Sequence, residues 1–364
     1  MKLRKIITII GARPQFVKAS VLSALFQKSR ELEEIIIHTG QHYDKAMSEL
    51  FFDQLGIPRP KYNLGIGGGS HGENTGRMIE AIEKILLSEK PDAVLVYGDT
   101  DSTLAGTIAA SKLYIPICHV EAGLRSFNNR MPEEINRVLT DRVSSLLFAP
   151  TVLAEKNLLS EGLPRPAIKL VGDVMFDAVL NYSVIAAEKS KILETVQVNP
   201  DEYILCTIHR PVNTDSVTNL AAIFDALKTT QTIVFPVHPR TKKIIEQNAI
   251  AVSDNIRLID PVGYLDMLNL EKNAQLIITD SGGVQKEAFF QKKYCITLRE
   301  ETEWQELVEI GVNTLIGFEY HKLKNIFENG LPQFAYESKN AFLYGDGNAG
   351  AKIIDAIVDF LNKQ

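Results

Sequence analysis

Apolar residues in this chain come in short blocks, most separated by segments with helical spacing of apolar and polar positions. Blocks at 6–10, 34–38, 93–97, 115–120 and 145–148 read as strands, and amphipathic stretches at 17–27, 76–88 and 103–113 read as the helices between them. A second series of strands follows at 204–208, 232–237, 256–258, 275–279, 294–298 and 314–316, with helices at 217–228 and 283–290 among them. Strand–helix alternation of this kind predicts parallel sheets covered by helices on both faces. The expected architecture is therefore two doubly wound, Rossmann-like α/β domains facing each other across a cleft. The first covers 1–171 and the second 172–349, with the boundary near Gly172. Apolar positions Ile353, Ile354, Ile357, Phe360 and Leu361 predict a terminal helix within 350–364 that rejoins the first domain.

A chain of 364 residues exceeds one comfortable hydrophobic core, which agrees with two domains. The net charge of −6 argues against a general nucleic-acid or anionic-membrane binder. No apolar run approaches the roughly 20 residues of a membrane helix. The block at 6–10 follows a basic start, but Gly11-Ala12-Arg13-Pro14 stands where a cleavage site would lie, so it reads as a buried first strand. Cys118, Cys206 and Cys295 are scattered within or beside apolar runs, which fits reduced thiols in a cytoplasmic protein and neither a disulfide frame nor a zinc site. His38 and His42 stand four apart, but on a segment that begins as a strand, so no metal site is expected.

The candidate chemistry lies where strands end. The block at 93–97 runs into Gly98-Asp99-Thr100, and 115–120 runs through His119 into Glu121-Ala122-Gly123-Leu124-Arg125. Ligands of parallel sheets bind beyond the carboxyl ends of the strands, so Asp99 and Glu121 should share one crevice, with Glu133 folding over it. Converging carboxylates beside His and Arg suggest acid/base chemistry, although Asp99 and Glu133 as helix caps, and Glu121 in an ion pair with Arg125 or Arg137, are the plainer alternatives. Arg13, at a strand-to-helix turn, suits an anion, or else a surface salt bridge. Thr279-Asp280-Ser281-Gly282-Gly283 forms a second such turn, in which paired glycines let backbone amides reach a phosphate and Glu287 can accept a ribose's hydroxyls. There Ser281 serves as ligand or as N-cap. His209-Arg210 and His238-Pro239-Arg240 end two further strands and have the charge for acid/base or phosphate duty.

Together these motifs resemble the non-hydrolysing UDP-N-acetylglucosamine 2-epimerase family over the whole chain. The resemblance rests on Gly11-Ala12-Arg13-Pro14, the run from His38 to Asp44, Gly98-Asp99-Thr100, the run from His119 to Arg125, Pro132 to Arg137, His209-Arg210, Asp280 to Gln285, and Tyr344 to Ala349. It implies the GT-B fold and a cofactor-independent, reversible C2 epimerisation of a UDP-N-acetylhexosamine, from UDP-GlcNAc to UDP-ManNAc. The implied route eliminates UDP to a 2-acetamidoglucal and re-adds it in a cleft closed to water. By position it implies catalytic roles for Asp99, Glu121, Glu133 and His209. UDP contacts are implied for Arg13, Lys18, His209, Ser281, Gly282, Gly283 and Glu287. It also implies a homodimer and a place in polysaccharide biosynthesis.

The chain departs from the family where Gln15 replaces a glutamate after Arg13-Pro14, and where Trp304-Gln305 replaces Arg-Pro. Loss of an acid near the sugar would suit a uronic acid, which makes UDP-2,3-diacetamido-2,3-dideoxy-glucuronic acid an alternative substrate. Residues 65–71 replace a basic stretch that contacts an activating UDP-sugar in some members, so allosteric activation is not expected. A hydrolysing epimerase, a GT-B glycosyltransferase and a non-catalytic UDP-sugar-binding regulator are the competing readings.

Overall fold

The computed structural model describes residues 3–41, 52–336 and 340–363, so His42, Tyr43 and Asp44 lie outside the described residues. The chain divides into two compact units, Met1–Ala178 with Phe342–Gln364, and Val179–Ala341.

The first unit holds strands β1 (Arg4–Ile10), β2 (Leu32–His38), β3 (Tyr62–Asn63), β4 (Ala93–Tyr97), β5 (Ile117–Val120), β6 (Leu146–Ala149) and β7 (Ile168–Leu170). They form one parallel sheet in the order β3-β2-β1-β4-β5-β6-β7. Strand β1 pairs with β2 and β4, and Ile6, Ile7, Ile9 and Ile10 are fully buried. Burial on both faces explains why this block is apolar apart from Thr8 and resembles a leader. On one face the helix His71–Glu89 packs Met78, Ile82 and Leu86 onto Ile7, Ile9, Val94 and Val96.

In the second unit β8 (Tyr203–Thr207), β9 (Thr232–Pro236), β10 (Ile256–Ile259), β11 (Leu276–Thr279), β12 (Tyr294–Thr297) and β13 (Asn313–Leu315) form a parallel sheet ordered β10-β9-β8-β11-β12-β13. Alternate residues of β8 feed opposite cores: Ile204 and Cys206 one, Tyr203 and Leu205 the other. Burial pushes the thiols of Cys118 and Cys295 up to about 12, and that of Cys206 up as well, so all three are packing groups.

Each strand expected from sequence is present within a few residues. Strand β5 begins at Ile117 instead of 115 because Pro116 has no N–H for the ladder. Edge strands β3 and β7, two and three residues long, carry too little pattern to be read in advance. The division between units falls at Ala178–Val179, inside the helix Val174–Lys189, and not at Gly172, because the first turn of that helix is held in the first unit. Asp177 accepts hydrogen bonds from the amides of Ala349 and Gly350 (3.1 and 2.8 Å) at the start of the terminal helix Ala349–Leu361. The returning segment begins at Phe342, earlier than the expected 350, because Gly172 and Gly345 cross in contact. A Cβ on Gly345 would lie 2.9 Å from the Gly172 Cα, and both residues have φ near +90°.

Both sheets reverse strand order beside their first strand, between β1 and β4 and between β8 and β11. The loops after those strands therefore diverge and leave an open edge at the carboxyl ends.

Candidate active site

In the first unit β4 and β5 are neighbours with Tyr97 opposite Val120, so Gly98-Asp99 and Glu121 emerge side by side. Glu121 adopts φ 73°, a left-handed conformation that costs a non-glycine residue energy and is concentrated at functional sites. Its carboxylate forms an ion pair with Lys18, which projects from the helix Arg13–Phe26. Gly98, at φ +62°, makes room for this pair: a Cβ there would lie 3.2 Å from Glu121 Oε2 and 3.5 Å from Lys18 Nζ. The Asp99 carboxylate pairs with Arg137, whose other arm donates to Glu134 Oε2 at 2.6 Å. Asn136 donates to the Asp99 carbonyl at 2.9 Å and to Asp101 Oδ1 at 3.1 Å. Two carboxylates, each beside a cation, thus stand at one strand edge.

The helix Pro132–Val143 supplies those supports. Glu133, its second residue, is exposed and has no side-chain hydrogen bond or ion pair among the described residues. The buried acid is Glu134, which accepts from the Ser126 amide and hydroxyl (both 2.9 Å) and from the Phe127 amide (3.0 Å). Glu121 is ion-paired with Lys18, a residue distant in sequence. Arg125 instead forks onto Glu161 (both contacts 2.7 Å) and reaches Asp141 at 2.8 Å. Burial alone would lower the pKa of Arg125, but Glu161 and Asp141 hold it above its ordinary value. His119 is fully buried, with Nδ1 2.7 Å from Asp141 Oδ1 and Nε2 2.8 Å from the Gly98 carbonyl, which makes it a brace for the Gly98 turn.

Arg13 is partly buried at the first turn of its helix. Gln15, read as a substitution near the sugar, is instead committed inward. Its Oε1 accepts from the amides of Gly11 (2.8 Å) and Ala12 (3.0 Å), while Nε2 donates to the Tyr97 carbonyl (2.9 Å) and Thr103 Oγ1 (3.0 Å). An ionised glutamate there could not donate to that carbonyl, so Gln15 fixes the Gly11 loop.

In the second unit the organiser is Asp280, which sequence reasoning quoted within a motif but gave no role. Fully buried after β11, it accepts from the His209 amide (3.0 Å), the Arg210 amide (2.9 Å) and Asn213 Nδ2 (2.9 Å). It also lies 3.3 Å from His209 Nδ1, while the His209 side chain remains 59% exposed. The helix Gly282–Phe290 follows directly; Ser281 is its N-cap, accepting from the Val284 amide at 3.4 Å. The amides of Gly282 and Gly283 donate to no described residue, as expected in a first helical turn. Trp304 braces this turn by donating from Nε1 to the Gly282 carbonyl at 2.9 Å, and the Lys286 ammonium lies 4.1 Å from the Trp304 ring centroid. Glu287 is buried on the same helix. His238 is a cap, its Nδ1 accepting from the Arg240 amide at 3.3 Å, and Arg240 pairs with Asp215.

The structure thus groups Lys18, Glu121, Asp99 and Arg137 in one unit, and His209, Asp280, Ser281, Gly282 and Gly283 in the other. Glu133 is exposed on the helix that carries Arg137. Among the described residues no cluster of three or more His, Cys, Asp or Glu is placed to hold a metal, and no helix is long and apolar enough to cross a membrane.

Comparison with known proteins gives a consistent neighbourhood. The family profile for UDP-N-acetylglucosamine 2-epimerase matches residues 24–358. A UDP-N-acetylglucosamine 2-epimerase homolog from Methanococcus maripaludis is 52% identical over 359 residues, covering 97% of this chain and 99% of that protein. The UDP-2,3-diacetamido-2,3-dideoxy-D-glucuronate 2-epimerase of Pseudomonas aeruginosa is 50% identical over 357 residues, covering 96% and 98%. The crystal structure of Methanocaldococcus jannaschii UDP-GlcNAc 2-epimerase in complex with UDP-GlcNAc and UDP aligns with a TM-score of 0.88 at 44% identity, covering 98% of this chain and 99% of that one.

Proposed function

Because the chain belongs to the UDP-N-acetylglucosamine 2-epimerase family, a family of isomerases, we propose that it inverts C2 of UDP-N-acetylglucosamine by eliminating UDP and adding it back. The observation that carries this reading is the pair of carboxylates, Glu121 and Asp99, presented at adjacent strand ends with Lys18 and Arg137 beside them. The C2 hydrogen of such a sugar has no neighbouring carbonyl to acidify it. Its removal is matched by departure of the UDP oxygen from C1, leaving a C1–C2 double bond. In the return step the UDP oxygen attacks C1 and a proton reaches C2 from the opposite face. The two faces call for two proton-handling groups, drawn from Glu121, Asp99 and Glu133. The amides of Gly282 and Gly283, Ser281, His209 and Arg13 are the proposed donors for the diphosphate, where they stabilise the leaving group. No step needs a redox cofactor.

A second substrate, UDP-2,3-diacetamido-2,3-dideoxy-glucuronic acid, is supported by the 50% identity to the Pseudomonas aeruginosa enzyme of that name. NMR of the protein with each sugar in deuterated water separates the readings. Conversion of UDP-N-acetylglucosamine to its C2 epimer with deuterium at C2 is the expected result. Turnover of the uronic acid alone moves that sugar to the front, and release of free N-acetylmannosamine with UDP indicates a hydrolysing enzyme.

We further propose a homodimer. On the helix Pro132–Val143 the inward face is polar (Glu134, Asn136, Arg137, Thr140, Asp141), whereas Ile135, Val138, Leu139 and Val143 form an outward stripe, 48, 37, 44 and 41% exposed. A solvated helix carries the opposite arrangement. An isologous contact with a second copy covers such a stripe with its own counterpart. Leu139→Asp should convert the dimer to a monomer in sedimentation equilibrium while the monomer stays folded; an unchanged mass would remove this face from the interface. The three buried, unlinked thiols suit the reducing cytoplasm.

A further inference from the structure

The two amides proposed to receive the diphosphate belong to consecutive peptide units, Ser281–Gly282 and Gly282–Gly283. In a trans peptide the C=O and N–H point in opposite directions, so fixing the carbonyl of one unit aims its N–H the other way. Paired glycines leave that aim poorly set, because glycine has more backbone freedom to lose than any other residue. Both carbonyls are nevertheless held by side chains. Gln285 Nε2 donates to the Ser281 carbonyl at 3.2 Å, and Trp304 Nε1 donates to the Gly282 carbonyl at 2.9 Å.

Each holder is itself anchored. Gln285 is fully buried, and its Oε1 accepts from Thr302 Oγ1 (2.8 Å) and Asn313 Nδ2 (3.0 Å). The Thr302 hydroxyl also accepts from the Trp304 amide at 3.1 Å, which ties the backbone of the indole to the turn it contacts. Trp304 is buried, and the Lys286 ammonium lies 4.1 Å from its ring centroid, a cation–π distance. Lys286 stands four residues after Gly282 on the helix Gly282–Phe290, so one helical turn grips the indole at its N–H edge and on its face. Glu303 Oε1 lies 3.0 Å from where a Gly282 Cβ would be, and its Oε2 pairs with Arg299 at 2.8 Å, so this acid beside the turn has a cation beside it.

We propose that Trp304 is a positioning residue: by holding the Gly282 carbonyl, its indole N–H presets the Gly283 amide as a donor to the diphosphate. This rests on the reading that the diphosphate binds the Gly282–Gly283 turn. A hydrogen bond to a peptide carbonyl polarises the whole unit, so bonds on its two sides reinforce each other. A donor aimed in advance also needs no reorganisation when the charge arrives.

Trp304 is the chain's single tryptophan, so one indole N–H resonance reports on the contact. The test titrates the full-length protein, isotope-labelled at tryptophan, with UDP and, to millimolar concentration, with uridine, which has the base and ribose but no phosphate. UDP should move the indole proton downfield as its bond to Gly282 tightens, and uridine should leave it in place. Trp304→Phe keeps an aromatic ring beside Lys286 and removes the N–H. By calorimetry it should bind UDP roughly three- to tenfold more weakly, the size of one neutral hydrogen bond, with uridine binding unchanged. An indole signal that UDP does not move, or a variant that binds UDP like wild type, overturns the proposal. So does an equal loss for uridine, which marks a general loosening of the site. Gly283→Ala is the separate check. If it binds UDP like wild type, the diphosphate lies elsewhere and the proposal falls with that reading; if it binds weakly while Trp304→Phe binds normally, the role of Trp304 alone is wrong.

Discussion

Glu121→Gln should lower kcat about a thousandfold while UDP affinity changes only a few-fold. The magnitude is that of losing one general acid or base, ~10²–10⁴ in rate. Glutamine is close in shape and its carbonyl oxygen still accepts from Lys18, so the left-handed turn at Glu121 and the Gly98 approach are retained. What disappears is the capacity to hold a proton. The Lys18 ammonium, with its side chain only 10% exposed, is left beside a neutral partner, so some loss of thermal stability accompanies the change. UDP titration therefore belongs beside the rate measurement, to separate lost chemistry from a lost fold. Glu133→Gln is the informative companion. Exposed and unpaired among the described residues, Glu133 costs no stability to change, and a comparable loss of rate would mean that it acts on substrate directly. If both variants kept wild-type turnover and C2 deuterium exchange, the acid group would be wrongly assigned.

The fold was legible wherever sidedness was written into the chain. Strands such as β4 and β11, buried on both faces, appear as uninterrupted apolar blocks, and the acids after them are placed by the rule that parallel sheets bind ligands at their carboxyl ends. Partner choice was not legible, because it depends on which helix face meets which turn. Nothing local to Glu121 distinguishes Lys18, 103 positions away, from Arg125 or Arg137. Glu133 and Glu134 are equivalent in sequence; only the rotation of their helix makes one exposed and the other a fourfold acceptor. The apolar stripe at Ile135, Val138, Leu139 and Val143 was a signal in view, since it competes with the polar stripe for the inward face. Asp280 could have been found by asking what satisfies the free amides of His209 and Arg210 past the end of β8.

Gly283→Ala should weaken UDP binding tenfold or more without lowering stability. A Cβ built on Gly283 meets only Ser281 Oγ, at 3.9 Å, so the protein itself accommodates the methyl group. Alanine is also favoured over glycine within a helix by ~0.5–1 kcal/mol, so the melting temperature should hold or rise. On the proposed function, the group such a methyl would obstruct is a phosphate approaching the amides of Gly282 and Gly283. Gly11 provides the contrast, since a Cβ there would fall 2.0 Å from Thr39 Oγ1 and 2.2 Å from Ser102 Oγ, and a change at Gly11 disturbs the fold before it reports on any ligand. Binding by calorimetry and melting by scanning fluorimetry decide the matter together. Lost affinity with retained stability places the diphosphate on the Gly282–Gly283 turn. Retained affinity means that the two glycines serve only the packing against Trp304, whose indole already holds the Gly282 carbonyl, and that the anion is bound without the helix amides.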